Sequence, residues 1–346
     1  MRLRSVAAGL PSRTVTNADI LRMIAEHSSG GFDGNLDDTL RAIDSMLRFT
    51  GSDERRWLDA GERPIELLRN ATKTALDQAQ VRASEVDLLI YTGIGRGFIE
   101  PGGAYHCATA LGFGELDCFD IIDACMSWTR AVQVAESMMR TGRYRTAVIV
   151  NAEFSLRMGG MVFPHLFTLP NREALASIFP AYTLGEAATA TVLSAEDDPW
   201  DFRFVSRPDL APLCNVTLPG YEGFCEPSDK LAANGVGYFS SFGAEMHEVG
   251  VADTLDVFQR LAVNPEKVSA LFTHASSKRQ WQLMADSVGL GEAIHHIFPT
   301  TGNIVSASVP AAMASAIAAG ALRRGERAVG WVGSAGMSFG AFTFVY

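Results

Sequence analysis

The chain has 346 residues, 47% of them hydrophobic and 20% charged, which is the balance of a packed globular protein and excludes a disordered or fibrous one. Its 39 Asp and Glu residues outnumber its 29 Lys and Arg residues, and the net charge of −10 argues against a nucleic-acid partner. The sequence has no apolar stretch of roughly 18 residues and no apolar segment typical of a signal peptide near its start. We therefore expect no membrane partner and a cytoplasmic location.

The five cysteines include no closely spaced pair. An odd number without such a pair argues against a disulfide framework and against a structural zinc site. We therefore expect no metal and no cofactor. The remaining chemical role for a cysteine in this chain is that of a nucleophile.

The sequence contains a long internal repeat. Residues 84–93 predict a strand that follows a helix, and residues 266–275 have the same pattern 182 positions later, after a helix predicted over about 252–262. The predicted helix and strand over residues 125–151 reappear over residues 306–332. Strands that alternate with helices indicate mostly parallel sheets covered by helices. We therefore expect two similar half-molecules, each built on a β-α-β-α-β unit.

The two half-molecules are predicted to join near the acidic, proline-containing run Glu196–Pro199. This join assigns residues 1–195 to an N-terminal half and residues 196–346 to a C-terminal half. The halves differ most at their strand ends and helix starts, which is where we expect the chemistry.

Cys125 follows an apolar predicted strand and begins a long predicted helix. The free N–H groups at a helix start favour a thiolate and can also stabilise an oxyanion. In the second half, His274 ends a predicted strand and Asn303 lies in a turn before a helix. Each residue alone has a structural explanation, as a core cysteine, a buried histidine and a turn asparagine. Their equivalent positions in a duplicated fold instead favour a shared catalytic site.

At this point the chain resembles the thiolase superfamily, and more narrowly the ketoacyl-ACP synthase III type of condensing enzyme. The resemblance extends over nearly the whole chain and implies a duplicated α/β fold with five layers, αβαβα, that usually forms a homodimer. It rests on these segments, in the family's order and spacing: Asp123–Cys125, Gly185–Ala190, Thr273–Ser276, Gly302–Pro310 and Gly333–Ala341.

The resemblance implies a role for each central residue. Cys125 would accept an acyl group from a thioester, and its backbone N–H would form an oxyanion hole with that of Gly336. His274 and Asn303 would polarise the second substrate, a malonyl or acyl thioester, for a Claisen condensation. The implied partners are acyl-CoA or acyl-carrier-protein thioesters.

Three positions depart from the family's usual means of holding CoA. Ser45 and Phe49 replace the Trp and Arg that hold the adenine, and Ala244 replaces an Asn that contacts the pantetheine arm. Arg279 matches a basic position on the entrance surface, and Arg48 lies next to Phe49 in the sequence. Either arginine could contact a carrier protein or its phosphopantetheine, or could simply face solvent.

Glu100 stands before a proline where this family sends a residue across the dimer interface. A glutamate there resembles the olefin-biosynthesis thiolases, which join two acyl chains head to head, and it could remove an α-proton from the second thioester. The alternative is a loop carboxylate that faces water. The stretch 155–182 is also long, as in that group, and its apolar segment Met158–Phe167 is expected in the core or the dimer interface, with an acyl-tunnel wall as the functional hypothesis.

The primary functional prediction is a cysteine-dependent condensing enzyme. A second hypothesis is an acyltransferase on the same fold, which would pass the acyl group from Cys125 to an alcohol or amine of a small molecule in secondary metabolism. A third is a weakly active partner subunit that lends Glu100 to another chain. The nature of the product, a carbon–carbon bond or an ester or amide, separates the first two.

Overall fold

The computed structural model describes residues 1–196 and 198–346. Asp197, in the predicted join between the halves, lies outside the described residues. The strands are β1 (Arg2–Gly9), β2 (Arg13–Thr16), β3 (Glu54–Trp57), β4 (Leu88–Thr92), β5 (Asp117–Ile121), β6 (Thr146–Glu153), β7 (Ala187–Ser194), β8 (Asp201–Ser206), β9 (Cys214–Val216), β10 (Phe239–Ser241), β11 (Ala270–Thr273), β12 (Arg327–Ser334) and β13 (Ser338–Val345). The helices are α1 (Asn17–Ser28), α2 (Leu36–Thr50), α3 (Pro64–Ala79), α4 (Gly103–Ala110), α5 (Ser127–Met139), α6 (Leu175–Ile178), α7 (Gly243–Gln259), α8 (Lys278–Ser287), α9 (Phe298–Thr301) and α10 (Ser308–Ala318).

The two main sheets repeat one strand order, which confirms the predicted duplication. The first sheet has the order β1-β7-β6-β4-β5, with β4 parallel to β5 and β6 and with β7 antiparallel to β6. The second has the order β8-β13-β12-β11, with β11 parallel to β12 and β13 antiparallel to β12. A single parallel bridge between Leu271 and Ile294 stands where β5 lies in the first sheet.

The layers follow from the alternation of side chains along the strands. Leu88 of β4 packs in a central core with α5 and α10, whereas its neighbour Leu89 faces α3 and α4. In β11, Phe272 faces the same central core and Leu271 faces α7 and α8. The order is therefore helices, sheet, helices, sheet, helices, which is the predicted five-layered αβαβα architecture.

Most of the apolar segment Met158–Phe167 belongs to the core, which was one of the locations expected for it. Val162, Leu166 and Phe167 are fully buried against α1 and α2. Met158 is 74% exposed and does not take part in this packing. The segment thus supports the region in front of the first sheet.

Three predicted helices begin at other residues than expected. The helix predicted from Cys125 begins with a 3₁₀ turn, Ala124–Met126, before α5, and a 3₁₀ turn over Val305–Ala307 likewise precedes α10. The helix predicted from Ala252 already begins at Gly243 as α7. Its first turns contain glycine and valine, which have low helix propensity, but packing against β13 overrides that preference.

Candidate active site

Cys125 lies on a sharp turn between β5 and α5. Ala124, the residue before it, has a φ of +46°, which is uncommon for a residue with a side chain. The Ser127 hydroxyl closes the turn, because it accepts a hydrogen bond from Asp123 N at 2.8 Å and donates one to the Ala124 carbonyl at 2.7 Å. Cys125 is half-buried there. Backbone strain of this kind is typical of functional sites.

A matching turn precedes α10 in the second half. Val305 has a φ of +50°, and the Ser308 hydroxyl donates to its carbonyl at 2.7 Å. Val305 follows Ala124 by 181 residues, so the duplication has preserved the turn. The two turns contact each other. The structure thus brings Cys125 against the turn that carries Asn303.

Each half also places the end of a strand against the turn of the other half. Ser334, the last residue of β12, accepts a hydrogen bond from Met126 N at 3.2 Å. Glu153, the last residue of β6, accepts hydrogen bonds from Ser306, from its backbone N at 3.3 Å and from its hydroxyl. Burial raises the pKa of Glu153, although these hydrogen bonds act in the opposite direction. The sequence analysis missed both contacts, although Ser334 follows Glu153 by the same 181 residues.

The environment of the Cys125 thiol disfavours its charged form. Burial raises the pKa of Cys125, and the nearby Cys214 and Glu153 raise it further. The Ala335 backbone N–H and the Ser334 hydroxyl act in the opposite direction but do not prevail. Burial therefore outweighs these two donors, and the resting thiol is neutral, whereas the helix start had been expected to favour the thiolate. A base must take the proton before Cys125 can attack a carbonyl.

Gly336 lies in the turn between β12 and β13. Its φ of +122° is one that residues with side chains rarely adopt. The N–H of the preceding residue, Ala335, acts on the Cys125 thiol to lower its pKa, so this turn lies close to Cys125. The contribution of Gly336 to that hole stays a prediction.

His274 is buried directly after β11, and its hydrogen bonds determine which ring nitrogen can accept a proton. Its Nδ1 lies 3.3 Å from the Ser308 hydroxyl. Because Ser308 donates its own proton to Val305, Nδ1 must be the donor, which leaves the Nε2 lone pair free. Burial and the charge of His247 lower the pKa of His274 to about 4. His274 is thus a neutral imidazole with an unprotonated Nε2 at physiological pH.

Asn303 has a fixed backbone and a fixed amide. Its N–H donates to the Thr183 carbonyl at 2.7 Å, and its carbonyl accepts from Gly185 N at 2.9 Å. Its side-chain oxygen accepts from Val305 N at 2.9 Å. The amide nitrogen, which carries two donors, is therefore the end available to a substrate.

Two further residues lie near this cluster and were missed by the sequence analysis. Burial lowers the pKa of His247, and this histidine is close enough to His274 to lower the pKa of His274 as well. His247 lies in the part of α7 before Ala252, where no helix was predicted. Cys214 begins β9, in sequence that was interpreted as a loop.

Glu100 lies on an exposed loop that follows β4, next to the edge strand β5 of the first sheet. The loop is anchored by Arg96, which pairs with Asp120 of β5 at 2.6 Å in a mostly buried ion pair. Asp120 also accepts hydrogen bonds from the first N–H groups of α4. Beside Glu100, Phe98 and Ile99 are 48% and 75% exposed. Glu100, the predicted base, is thus exposed on an apolar loop that the Arg96–Asp120 ion pair anchors to the sheet.

The two arginines of the predicted entrance surface, Arg279 and Arg48, make different contacts. The Arg279 guanidinium lies over the ring of Phe49, 4.5 Å from its centroid, in a cation–π contact. Phe49 remains 58% exposed. Arg48 instead pairs with Asp44 on its own helix at 2.8 Å. The role of the Arg279–Phe49 pair in binding stays a prediction.

Among residues 1–196 and 198–346, no group of three or more His, Cys, Asp or Glu side chains is arranged to hold a metal ion. In the same described residues, no helix is both long enough and apolar enough to span a bilayer.

Fold and site together define a class of protein, a duplicated five-layered α/β enzyme in which Cys125 lies where the two halves contact each other. The family model for 3-oxoacyl-[acyl-carrier-protein] synthase III matches residues 119–158, and the model for the C-terminal part of that family matches residues 258–346.

Relatives along the whole chain agree with this class. A beta-ketoacyl-[acyl-carrier-protein] synthase III of Symbiobacterium thermophilum is 25% identical over 98% of this chain and 96% of its own. The protein of that name from Clostridium perfringens is 24% identical over 88% of this chain and 92% of its own.

Two solved structures share the fold. Xanthomonas campestris OleA superposes with a TM-score of 0.82 at 19% identity, over 99% of this chain and 98% of that one. The 3-oxoacyl-[acyl-carrier-protein] synthase III of Aquifex aeolicus gives a TM-score of 0.77 at 21% identity, over 100% and 99% of the two chains. The predicted resemblance is thus confirmed: over nearly its whole length the chain is similar to condensing enzymes of the 3-oxoacyl-[acyl-carrier-protein] synthase III type, and this similarity supports an enzyme that condenses acyl thioesters.

Proposed function

We propose that the protein loads an acyl group onto Cys125 and joins it to a second thioester by Claisen condensation. The observation that carries this proposal is the position of Cys125, on a strained turn that contacts both the matching turn of the second half and the end of β12. The presence of His274 and Asn303 beside the matching turn supports a two-step reaction on one enzyme.

In the loading step, Nε2 of His274 takes the Cys125 proton, because the resting thiol is neutral and the imidazole is a free base. The thiolate attacks the carbonyl of the donor thioester, and backbone N–H groups of Cys125 and Gly336 hold the oxyanion. The donor's thiolate leaves and takes the proton from His274. Cys125 then carries the acyl group as a thioester.

In the condensation step, the Asn303 amide nitrogen donates to the carbonyl of the second thioester and stabilises its enolate. The carbanion arises by loss of carbon dioxide from a malonyl unit or by removal of an α-proton, for which Glu100 is the base. It attacks the acyl carbonyl on Cys125, a carbon–carbon bond forms, and the Cys125 thiolate leaves. The thiolate regains a proton and the cycle can begin again.

The proposed substrates are thioesters of CoA or of an acyl carrier protein, as the names of the relatives suggest. The exposed Arg279–Phe49 pair supports a contact with an acidic carrier or its phosphopantetheine. A place in fatty-acid biosynthesis is consistent with these relatives. We further propose a cytoplasmic location.

We also propose a homodimer that forms at β5. This strand is at the edge of its sheet, so its free N–H and C=O groups can pair with a second copy. Exposed apolar side chains surround that edge, with Ile99, Tyr105 and Ile122 all more than half exposed. Such pairing would direct the Glu100 loop toward the partner chain.

A product assay tests the proposal. Purified protein is mixed with an acyl-CoA or acyl-carrier-protein donor and with either a malonyl or an acyl thioester, and the products are identified by mass spectrometry. A 3-oxoacyl product is expected with at least one pair. Esters or amides formed with added alcohols or amines, and no 3-oxoacyl product, would refute condensation.

A further inference from the structure

The hydroxyl of Ser334 lies directly behind the nucleophile. Ser334 is only 2% exposed, at the end of β12. It accepts a hydrogen bond from Met126 N at 3.2 Å and donates one to the Asp123 carbonyl at 3.4 Å. Its two backbone partners therefore flank Cys125 on both sides in the chain.

We propose that Ser334 is a positioning residue that turns its hydroxyl proton from the Asp123 carbonyl to the Cys125 sulfur whenever that sulfur carries negative charge. The inference rests on the proposed function of Cys125 as the acyl acceptor. The thiol proton itself goes to His274, and Ser334 keeps its own proton throughout. The hydroxyl turns back when the thioester forms, and turns to the sulfur again when the thiolate leaves during condensation.

The two hydrogen bonds of Ser334 differ in the way that this switch requires. The bond from Met126, whose N–H also donates to the Asp123 carbonyl at 2.9 Å, keeps the Ser334 oxygen beside the turn. The bond to Asp123, at 3.4 Å, is at the weak end of the range for an O–H donor, so little is lost when the proton turns away. A hydrogen bond to a charged acceptor is roughly twice as strong as a neutral one. The same hydroxyl already opposes the effect of burial on the pKa of Cys125.

The duplication supports this role. The second half contains an equivalent turn and strand end, but there the position of Cys125 is taken by a residue that is not a nucleophile in the proposed reaction. Ser306 stands where Cys125 stands in the first half, and Glu153 stands where Ser334 stands, each 181 residues away. There the carboxylate of Glu153 accepts from the Ser306 hydroxyl. A carboxylate beside a thiolate would repel it, whereas a hydroxyl can donate to it. The two strand ends have thus diverged in the direction that a cysteine nucleophile needs.

The test measures how fast iodoacetamide alkylates Cys125 as a function of pH, followed on the peptide that contains Cys125. In Ser334→Ala we expect the midpoint of this profile to move to higher pH and acyl loading to slow roughly 10- to 100-fold. Ser334→Thr retains the hydroxyl and should keep the wild-type profile. Ser338→Ala is the matched control, because Ser338 pairs across the same hairpin and its buried hydroxyl has no hydrogen-bond partner among the described residues.

An unchanged alkylation profile in Ser334→Ala, with an unchanged melting temperature, would overturn the inference, and so would an equal shift in Ser338→Ala. If the alanine variant does not fold, Ser334→Gly removes the same hydroxyl and carries the same expectations. Alkylation requires no substrate, so it also separates this inference from the proposed function. A shifted profile in a protein that no thioester acylates would contradict the acyl-acceptor role while upholding the hydroxyl contact.

Discussion

The side-chain oxygen of Asn303 accepts a hydrogen bond from Val305 N at 2.9 Å, and this contact determines which end of the amide a substrate meets. The oxygen is occupied by the turn, so the NH₂ group is left as the donor. The same backbone N–H would bond equally well to a carboxylate oxygen. The turn and the donor can therefore be separated by mutation.

Asn303→Asp should keep the turn but lose the donor, since an ionised carboxylate only accepts hydrogen bonds. We expect acyl loading of Cys125 to continue and condensation to fall roughly 100- to 1,000-fold, the usual effect of losing one oxyanion donor. Asn303→Ala loses both the turn contact and the donor and is expected to be less stable as well. Loading and condensation are measured separately, by intact mass and by product formation. An aspartate variant that condenses at the wild-type rate would contradict the role of Asn303.

The lowered pKa of His274 predicts that the protein loses stability at mildly acidic pH. Its pKa in the folded protein is about 4, below the value of about 6.5 for an unfolded histidine, so the unfolded chain binds more protons between these values. The free energy of unfolding should therefore fall as the pH drops below 6.5, by about 2 kcal/mol at pH 5 from this residue alone. His296, whose pKa burial also lowers to about 4, adds to the same trend.

Urea unfolding at a series of pH values between 8 and 4.5 checks this prediction. His274→Asn removes the titrating group, so its stability should depend less steeply on pH than that of the wild type. Equal slopes for the two proteins would show that His274 does not become charged at the expense of the fold.

The proposed base role of Glu100 predicts that its mutation affects the condensation rate differently with acyl and with malonyl thioesters. If its carboxylate removes an α-proton, Glu100→Gln should slow condensation with an acyl thioester by roughly 100-fold or more. Condensation with a malonyl thioester should not change, because decarboxylation supplies the carbanion. Glu115→Gln, at another exposed glutamate, serves as the control. Equal rates of Glu100→Gln and wild type with acyl substrates would exclude the base role.

Arg279 and Arg48 should differ in their effect on carrier binding. Arg48 is already paired with Asp44, whereas the charge of Arg279 lies on an exposed aromatic ring and is open to an anionic partner. Arg279→Ala should raise the KM for an acyl-carrier-protein donor roughly threefold to tenfold, with a smaller effect at high salt. Arg48→Ala should change it little. A larger effect at Arg48 than at Arg279 would reverse the assignment.

The sequence predicted the duplication and the placing of Cys125, His274 and Asn303 at strand ends and helix starts for the same physical reason, whereas the five layers were implied by the family resemblance. Apolar strands, glycine turns and helix starts repeat at a nearly constant offset, and equivalent strand ends must meet when two similar halves pack together. The partners of Cys125 were not predictable in this way. Ser334 reaches it from a strand more than 200 residues later, and no local pattern specifies such a contact. The neutral thiol also could not be foreseen, because burial depends on the finished packing of both halves.

His247 was missed for a different reason. The start of α7 is rich in residues of low helix propensity, so the sequence alone placed the helix start too late. Packing against β13 extends the helix and brings His247 near His274. Tertiary contacts therefore decided both the boundary of this helix and the composition of the site.

The central claim is that Cys125 carries an acyl group, and intact-protein mass spectrometry tests it most directly. Wild-type protein and Cys125→Ala are each mixed with a panel of acyl-CoA and acyl-carrier-protein thioesters. We predict a gain of one acyl mass in the wild type and none in Cys125→Ala, with the other four cysteines unmodified. An equal mass gain in Cys125→Ala, or no gain in the wild type with any donor, would contradict it.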